Sequence, residues 1–200
     1  MKSCSLLPIL AALVAVPAAQ SAIIYSGVQN VAVPFTFDGV YLNIVTHATT
    51  LSQPADWDTA AWINLDFGGV DISNGDLVHP VITGPDQVVN LSFLSLVGPT
   101  SNVAAGGSAS TMHMGPAPEQ FQLYTPGYLG FAFESAPAGP TYYGWAKVTL
   151  NNTGVGTGTI HDWAYENTAG TGILVGVVPE PTGAALLLLA LSGLTLRRKR

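Results

Sequence analysis

Residues 141–166 carry the sequence TYYGWAKVTLNNTGVGTGTIHDWAYE, in which two alternating segments flank a glycine-rich connection. Side chains of a strand point to opposite faces in turn, so the first segment predicts a strand with two distinct faces. One face holds Trp145, Lys147 and Thr149, and the other holds Ala146, Val148 and Leu150. The connection NNTGVGTG leads to a second strand-like stretch that begins at Thr159, which predicts a β-hairpin.

The rest of the chain repeats this pattern of short apolar segments, which turn residues interrupt roughly every 8 to 15 residues. The 200-residue chain contains 22 Gly and 14 Pro, and its charged residues make up only 9%. That is too few for the outer stripe of long surface helices. We therefore predict an all-β fold, an antiparallel β-sandwich or jelly roll of roughly nine to eleven strands. Residues 99–118, rich in Gly, Ala, Ser and Pro, are predicted to form a long surface loop.

The N-terminus has the three-part layout of a secretory signal peptide. Lys2 precedes an apolar run, and small residues follow at positions 18–22. The only cysteine, Cys4, lies in this leader, so the exported domain is expected to have neither a thiol nor a disulfide. We predict a signal peptide over residues 1–22 and an extracytoplasmic domain over residues 23–175.

Charge is distributed unevenly along the chain. Between Ile23 and Val178, eight Asp and three Glu face one basic residue, Lys147, which gives this region a net charge of −10. The other Lys and Arg residues lie at the two ends beside apolar runs, where they resist translocation and favour export of the middle. An acidic domain of this kind lacks the basic patch that nucleic acids require. We expect no nucleic-acid partner, whereas cations and neutral glycans stay open as ligands.

Residues 176–200 have the parts of a membrane-inserted tail. Pro179, Glu180 and Pro181 precede an uncharged apolar run over residues 182–196, and the chain ends in a basic cluster that would stop transfer, formed by Arg197, Arg198, Lys199 and Arg200. A helix over the apolar run would span about 22 Å, short of the roughly 30 Å hydrocarbon core, so it needs interfacial flanks or a thinned bilayer. We predict a single transmembrane helix there.

This combination resembles the PEP-CTERM sorting signal. The resemblance covers about the last two dozen residues and implies that an exosortase, a membrane-embedded cysteine protease, removes the tail during export. Pro179, Glu180 and Pro181 would then be the recognition positions. It also implies a Gram-negative host that makes extracellular polysaccharide. The signal peptide adds the general secretion machinery as an expected partner.

The central domain also resembles uncharacterised extracytoplasmic domains found in PEP-CTERM proteins. The matching features are the YGW strand at 143–145, the NNTG turn and the DWAYE stretch at 162–166. This second resemblance implies that such a domain occurs in the same chain as the sorting signal, and it implies no particular activity.

No motif predicts a catalytic residue, a metal site or a cofactor. The four histidines, His47, His79, His113 and His161, show neither HxH nor HExxH spacing, and no serine lies in a GxSxG elbow. They are interpreted as ordinary surface or turn histidines. A hydrolase triad assembled from distant loops would leave no trace in sequence, so a secreted hydrolase stays as a third hypothesis.

Acidic residues cluster modestly in two places. Asp56 and Asp58 form one group, and the loop DFGGVDISNGD contains Asp66, Asp71, Asn74 and Asp76 as candidate calcium ligands. The spacing does not match the EF-hand, in which ligands alternate and a Glu occupies the twelfth position. We therefore favour solvated turn aspartates and keep calcium as the alternative.

Tryptophans offer two interpretations. Trp57, Trp62, Trp145 and Trp163 could stack on sugar rings from a sheet face, or they could fill the core. We favour the core, since Trp145 and Trp163 lie in alternating segments with one buried face.

Together these features predict a non-enzymatic protein of the cell envelope or biofilm matrix. We expect it to be exported, anchored transiently in the inner membrane, and then cut by an exosortase. A glycan-binding module of the extracellular polysaccharide is the alternative.

Overall fold

The computed structural model describes residues 22–84, 87–104, 107–111, 120–151, 153 and 156–179. This part of the chain is all-β, apart from one 3₁₀ turn at Phe67–Gly69. In chain order its strands are β1 (Ile23–Tyr25), β2 (Val31–Val33), β3 (Val40–Asn43), β4 (Thr49–Thr50), β5 (Trp62–Asp66), β6 (Asp71–Asn74), β7 (Val78–Pro80), β8 (Ile82–Thr83), β9 (Gln87–Val88), β10 (Leu96–Val97), β11 (Gly107–Ser110), β12 (Pro126–Glu134), β13 (Thr141–Thr149), β14 (Gly158–Glu166) and β15 (Ile173–Leu174).

Three sheets can be distinguished. The first has the order β1-β14-β13-β12-β7, with β2 also paired to β14, and all of its pairs are antiparallel. The second has the order β4-β3-β5-β6-β11-β9-β8, antiparallel except for a single parallel pairing between β11 and β9. The third is the small β10-β15 pair. The fold is therefore all-β and β-sandwich-like, and the predicted fold class is confirmed to this extent.

The predicted hairpin is the centre of the first sheet. β13 and β14 pair antiparallel across the glycine-rich connection, and β12 pairs with β13 along its whole length. The prediction of two faces is confirmed, because Ala146, Val148 and Leu150 join the core between the large sheets while Trp145 points the other way.

Both faces of the first sheet are covered. The inner core lies between the two large sheets and includes Leu42, Ile63, Leu65, Ile72, Phe131, Phe133, Val148, Ile160 and Trp163. The outer core lies on the opposite face and includes Val81, Val97, Ala132, Tyr143, Trp145, Ala164, Ile173 and Val175. Because β13 and β14 are buried on both sides, they accept large apolar residues at successive positions.

A β-bulge in β14 changes the face to which the residues after it point. Lys147 pairs with Asp162 and the next residue, Val148, pairs with Ile160, so His161 is the extra residue. Strict alternation would place Ile160 and Trp163 on opposite faces. The bulge places both in the inner core, because an inserted residue shifts the side chains that follow it.

Two predictions about the fold are wrong in part. The described residues contain fifteen strands, more than the expected nine to eleven, because turn residues cut several apolar runs into strands of two or three residues. Residues 99–118 include β11, which adds to the edge of β6 in the second sheet. The segment GSAS of β11 has no apolar alternation, so only its backbone hydrogen bonds to β6 define it as a strand.

Candidate functional site

A cleft of about 190 Å3 opens at one end of the sandwich. Its lining is Val45, Phe133, Ser135, Tyr142, Tyr165 and Asn167. Five of these residues belong to β12, β13 and β14 or directly follow β12 and β14, whereas Val45 lies in the turn after β3. The cleft is therefore built by the inner face of the first sheet at its end, with one side chain from the second.

The floor of the cleft is aromatic. Phe133 is fully buried, and its ring centroid lies 5.4 Å from that of Tyr142 and 5.1 Å from that of Tyr165. Phe133 and Tyr142 are direct partners in the β12–β13 ladder, and Tyr165 meets Phe133 edge-on at 86°. Tyr165 therefore packs edge-to-face on Phe133, whereas Tyr142 packs against it in a tilted arrangement at 30°, and both tyrosine rings stay half-buried.

A glycine makes room for this arrangement. Gly144 pairs with Phe131 on one side and Tyr165 on the other. A Cβ at position 144 would lie 2.6 Å from Phe131 Cζ and 2.8 Å from the carbonyl oxygen of Ala164. Any side chain there would displace the Phe131 ring, which packs 6.1 Å from Phe133 at the cleft floor.

The polar groups of the cleft are neutral. Burial raises the pKa of Tyr165, and the neighbouring Tyr142 raises it further, so Tyr165 stays a neutral phenol at physiological pH. Within the described chain, neither the Tyr142 nor the Tyr165 hydroxyl makes a hydrogen bond. Ser135 and Asn167 add exposed hydroxyl and amide groups at the rim. The cleft thus offers aromatic surface and neutral hydrogen-bonding groups, with no charged residue in its lining.

No protein-family model, curated protein or solved structure matches this sequence.

The structure decides between the two interpretations of the tryptophans. Trp145 lies in the outer core and Trp163 in the inner core, both fully buried, so the prediction of core residues is confirmed for this pair. Trp62 is also buried, and its Nε1 donates a hydrogen bond to Asp56 Oδ1 at 3.0 Å. Trp57 is half-buried, edge-on to Tyr41 at 5.2 Å.

The candidate calcium ligands do not converge. Asp66 and Asp71 are cross-strand partners, but Asn74 pairs with Ile63, three residues along β5 from Asp66, which corresponds to about 10 Å. Asp76 lies exposed in the turn after β6. In the part of the chain that the structure describes, no three His, Cys, Asp or Glu residues are grouped in a way that could hold a metal ion.

Asp66 is not the solvated turn residue that we expected. It is only 5% exposed, and its Oδ1 atom is buried without a hydrogen-bond partner. Burial raises its pKa to about 6, and the negative charge of Asp71 adds to the rise. Hydrogen bonds from its own backbone N–H and from the Ser73 side chain oppose these effects but do not cancel them. The sequence gives no sign of this burial, because Asp66 is the last residue of β5 and precedes the turn residues Gly68 and Gly69, where an exposed Asp is usual.

The described histidines lie apart and have separate surroundings. His47 stacks edge-on against Trp163 at 5.1 Å. His161 is within hydrogen-bonding distance of Thr149 Oγ1 at 2.8 Å and of Asn30 Oδ1 at 3.1 Å. His79 belongs to β7 of the first sheet, and His113 lies outside the described residues.

Only the first residue of the predicted sorting motif is described. Pro179 is exposed, four residues after the fully buried Val175. Glu180 and Pro181 lie outside the described residues, as do the basic cluster Arg197, Arg198, Lys199 and Arg200 and the signal peptide up to position 21. Within the described ranges, no helix is long and apolar enough to cross a membrane.

Proposed function

We propose that this chain is an exported protein of the Gram-negative cell envelope or biofilm matrix, anchored transiently in the inner membrane and cut by an exosortase at Pro179, Glu180 and Pro181. The observation that supports the proposal is where the described β-structure begins and where its burial ends. β1 begins at Ile23, directly after the predicted signal peptide, and the last fully buried residue among those described up to position 179 is Val175.

The C-terminal boundary favours proteolysis. The last ladder ends at Leu174, and the last backbone hydrogen bond of the described chain runs from Val177 N to Leu174 O at 3.2 Å. Val178 and Pro179 are exposed. A protease needs an accessible segment, so the exposure of Val178 and Pro179 favours a cut at this point of the chain without unfolding of the domain.

The remaining tail supplies the anchor in this proposal. Residues 182–196 carry no charge, and the four basic residues that follow would hold the C-terminus on the cytoplasmic side. The acidic domain, with its single Lys147, would be translocated. Transmembrane insertion and exosortase recognition both follow from the resemblance to the PEP-CTERM signal.

The cleft supports a binding role for the domain in place of an enzymatic one. A glycosidase needs two carboxyl groups that face the scissile bond, and the cleft lining contains none. Asp66 and Asp162, whose pKa values are raised by burial, both lie outside the cleft lining. We therefore favour a protein that binds without catalysis.

The same cleft supports a second function, recognition of a neutral glycan. The C–H faces of a sugar ring pack on aromatic rings, and its hydroxyls suit the neutral groups of Ser135, Asn167 and the two tyrosines. A volume of about 190 Å3 is below the range of drug-sized sites and suits a single ring. The net charge of −10 between Ile23 and Val178 disfavours acidic polymers.

The sorting proposal is tested by the intact mass of the protein from envelope and culture fluid, with and without the host exosortase. We expect both termini to be lost, with the C-terminal cut near Pro179–Pro181 only when the exosortase is present. An uncut tail in both strains would show that the protein is a plain tail-anchored protein.

The glycan proposal is tested by a pull-down with the host's extracellular polysaccharide. Tyr142→Ala and Tyr165→Ala should each lower the affinity about tenfold, because each removes one aromatic surface. Tyr124→Ala is the matched control, since Tyr124 is an exposed tyrosine outside the cleft lining. Equal retention of all three variants would show that the cleft is not the glycan site.

A further inference from the structure

Five large apolar side chains lie exposed around the point where the chain leaves the domain. They are between 39% and 60% exposed and comprise Phe93, Leu94, Leu96, Leu174 and Val178, here named the exit patch. Scattered exposed apolar residues are normal on a protein surface, but a contiguous group marks an interaction surface.

Backbone pairing shows that the exit patch is contiguous. Leu96 and Leu174 are direct partners in the β10–β15 pair, and both are exposed, whereas their neighbours Val97 and Ile173 are buried in the outer core. A small sheet with one buried face and one open face normally carries polar residues on the open face. Here the open face carries leucines.

The other members adjoin this pair. Leu94 N donates a hydrogen bond to the Val175 carbonyl at 3.0 Å, which places it beside β15. Phe93 contacts Gly176, where a Cβ would lie 2.5 Å from its ring. Leu94 has a φ of 66°, which is unfavourable for a bulky residue and is held by the surrounding backbone bonds.

The exit patch is also free of charge in an acidic domain. Residues 90–105 and 167–179 contain no Asp, Glu, Lys or Arg. Elsewhere the domain carries the eleven carboxylates between Ile23 and Val178. Carboxylates would be repelled by the phosphates of lipid headgroups, whereas an uncharged apolar surface can enter the interface.

The length of the tail determines what this surface meets. Three residues separate Val178 from Thr182, and in extended form they span at most about 11 Å. The apolar run that starts there is the predicted membrane segment. A domain on so short a tether must lie against the bilayer, and the surface at the tether is the exit patch.

We propose that the exit patch docks on the outer surface of the inner membrane and holds the domain against the bilayer until the tail is cut. This inference rests on the proposed membrane insertion of the tail. Docking places Pro179 close to the interface, where a membrane-embedded protease works. Once the tail is cut, only the weak apolar contact of the exit patch holds the domain on the bilayer. The domain then dissociates from the membrane.

The test uses the tail-bearing chain from a host without exosortase, reconstituted in phosphatidylcholine and phosphatidylglycerol vesicles. The exported chain has lost Cys4 with its signal peptide in the proposed processing, so a polarity-sensitive dye can be attached at a single thiol after Leu96→Cys. Leu51→Cys is the matched control, because Leu51 is an exposed leucine beside β4, on the far sheet of the sandwich. Flotation reports insertion of the tail, and dye emission reports docking.

We expect every chain to float, the dye at position 96 to shift to the blue and be quenched by shallow spin-labelled lipids, and the dye at position 51 to stay in water. In a second set of chains the dye is attached after Leu94→Cys. In this set, the double substitution Leu96→Ser and Leu174→Ser should lower the ratio of docked to undocked domains about tenfold or more. Both leucines are exposed, so the substitutions leave the core intact.

Three results would overturn the proposal. Chains that float with the same watery emission at positions 96 and 51 would refute docking and leave the tail anchor standing. Chains that do not float would refute both. A dye at position 96 that is already shielded before vesicles are added would show that the chain's own tail, or a second copy, covers the patch.

Discussion

Neutralising Asp66 should remove a pH dependence of stability that its burial creates. Its pKa is about 6 in the folded domain, against 3.8 for an ordinary aspartate. The folded state therefore binds the Asp66 proton more tightly than the unfolded state does. Its contribution to stability is complete below about pH 4 and is lost as the pH rises through about 6.

The size of the effect follows from the pKa difference. Each pKa unit corresponds to about 1.4 kcal/mol, so ionisation of Asp66 lowers the free energy of unfolding by roughly 2 to 3 kcal/mol at neutral pH. For a domain of about 155 residues this corresponds to a decrease in Tm of about 5 to 10 °C. Because a typical domain is stable by only about 5–15 kcal/mol, the effect is readily measured.

The assay is urea unfolding of the parent protein and the Asp66→Asn variant from about pH 4 to about pH 7.5. Asn retains the shape but cannot ionise. It leaves an amide group buried where Asp66 Oδ1 has no partner, and this cost is independent of pH. The stability of Asp66→Asn relative to the parent should therefore rise by roughly 2 to 3 kcal/mol across the range.

The control is Asp58→Asn, at an exposed aspartate of the same charge type. It accounts for the general effect of removing one negative charge from an acidic domain. Unfolding free energies of Asp66→Asn and the parent that run parallel across the pH range would show that Asp66 has no raised pKa in the folded domain. The same pH-dependent gain in Asp58→Asn would also refute the prediction.

Two further predictions concern the first sheet. Trp163→Phe should lower the free energy of unfolding by about 1 kcal/mol more than Trp145→Phe does. The reason is that Trp163 Nε1 donates a hydrogen bond to the Ile44 carbonyl at 3.2 Å, whereas the buried Trp145 Nε1 has no partner. Equal losses of unfolding free energy in urea would contradict this prediction. The pKa of Asp162 is raised by burial and lowered by Lys147, its cross-strand partner. Lys147→Met should therefore raise the pKa of Asp162 further, as measured in an NMR titration of its carboxyl group. An unchanged or lower pKa would show that the charge of Lys147 does not act on Asp162.

Much of the fold could be predicted because it is encoded locally. The alternation in residues 141–150 and the glycine-rich connection predict β13, β14 and their hairpin, all of which the structure contains. The assignment of Trp145 and Trp163 to the core follows from the same pattern. β11 could not be predicted, since GSAS lacks alternation and becomes a strand only through its pairing with β6.

The cleft was beyond sequence reasoning. Phe133, Tyr142 and Tyr165 lie in three different strands and meet only because β12, β13 and β14 pair in a particular register. No motif in the sequence marks Tyr142 or Tyr165, and the larger tryptophans are the more conspicuous candidates for stacking on sugar rings. The bulge at His161 likewise decides which residues of β14 face the inner core, and no residue in that stretch signals it.

The sequence by itself determined the all-β class and the hairpin, because strand alternation and turn residues act over a few neighbouring residues. The roles of the two end segments in export and sorting stay predictions from the sequence. Only the tertiary structure decided which side chains meet. The burial of Asp66, the aromatic floor of the cleft and the contiguity of the exit patch all depend on contacts between residues far apart in the chain, and strand register sets those contacts.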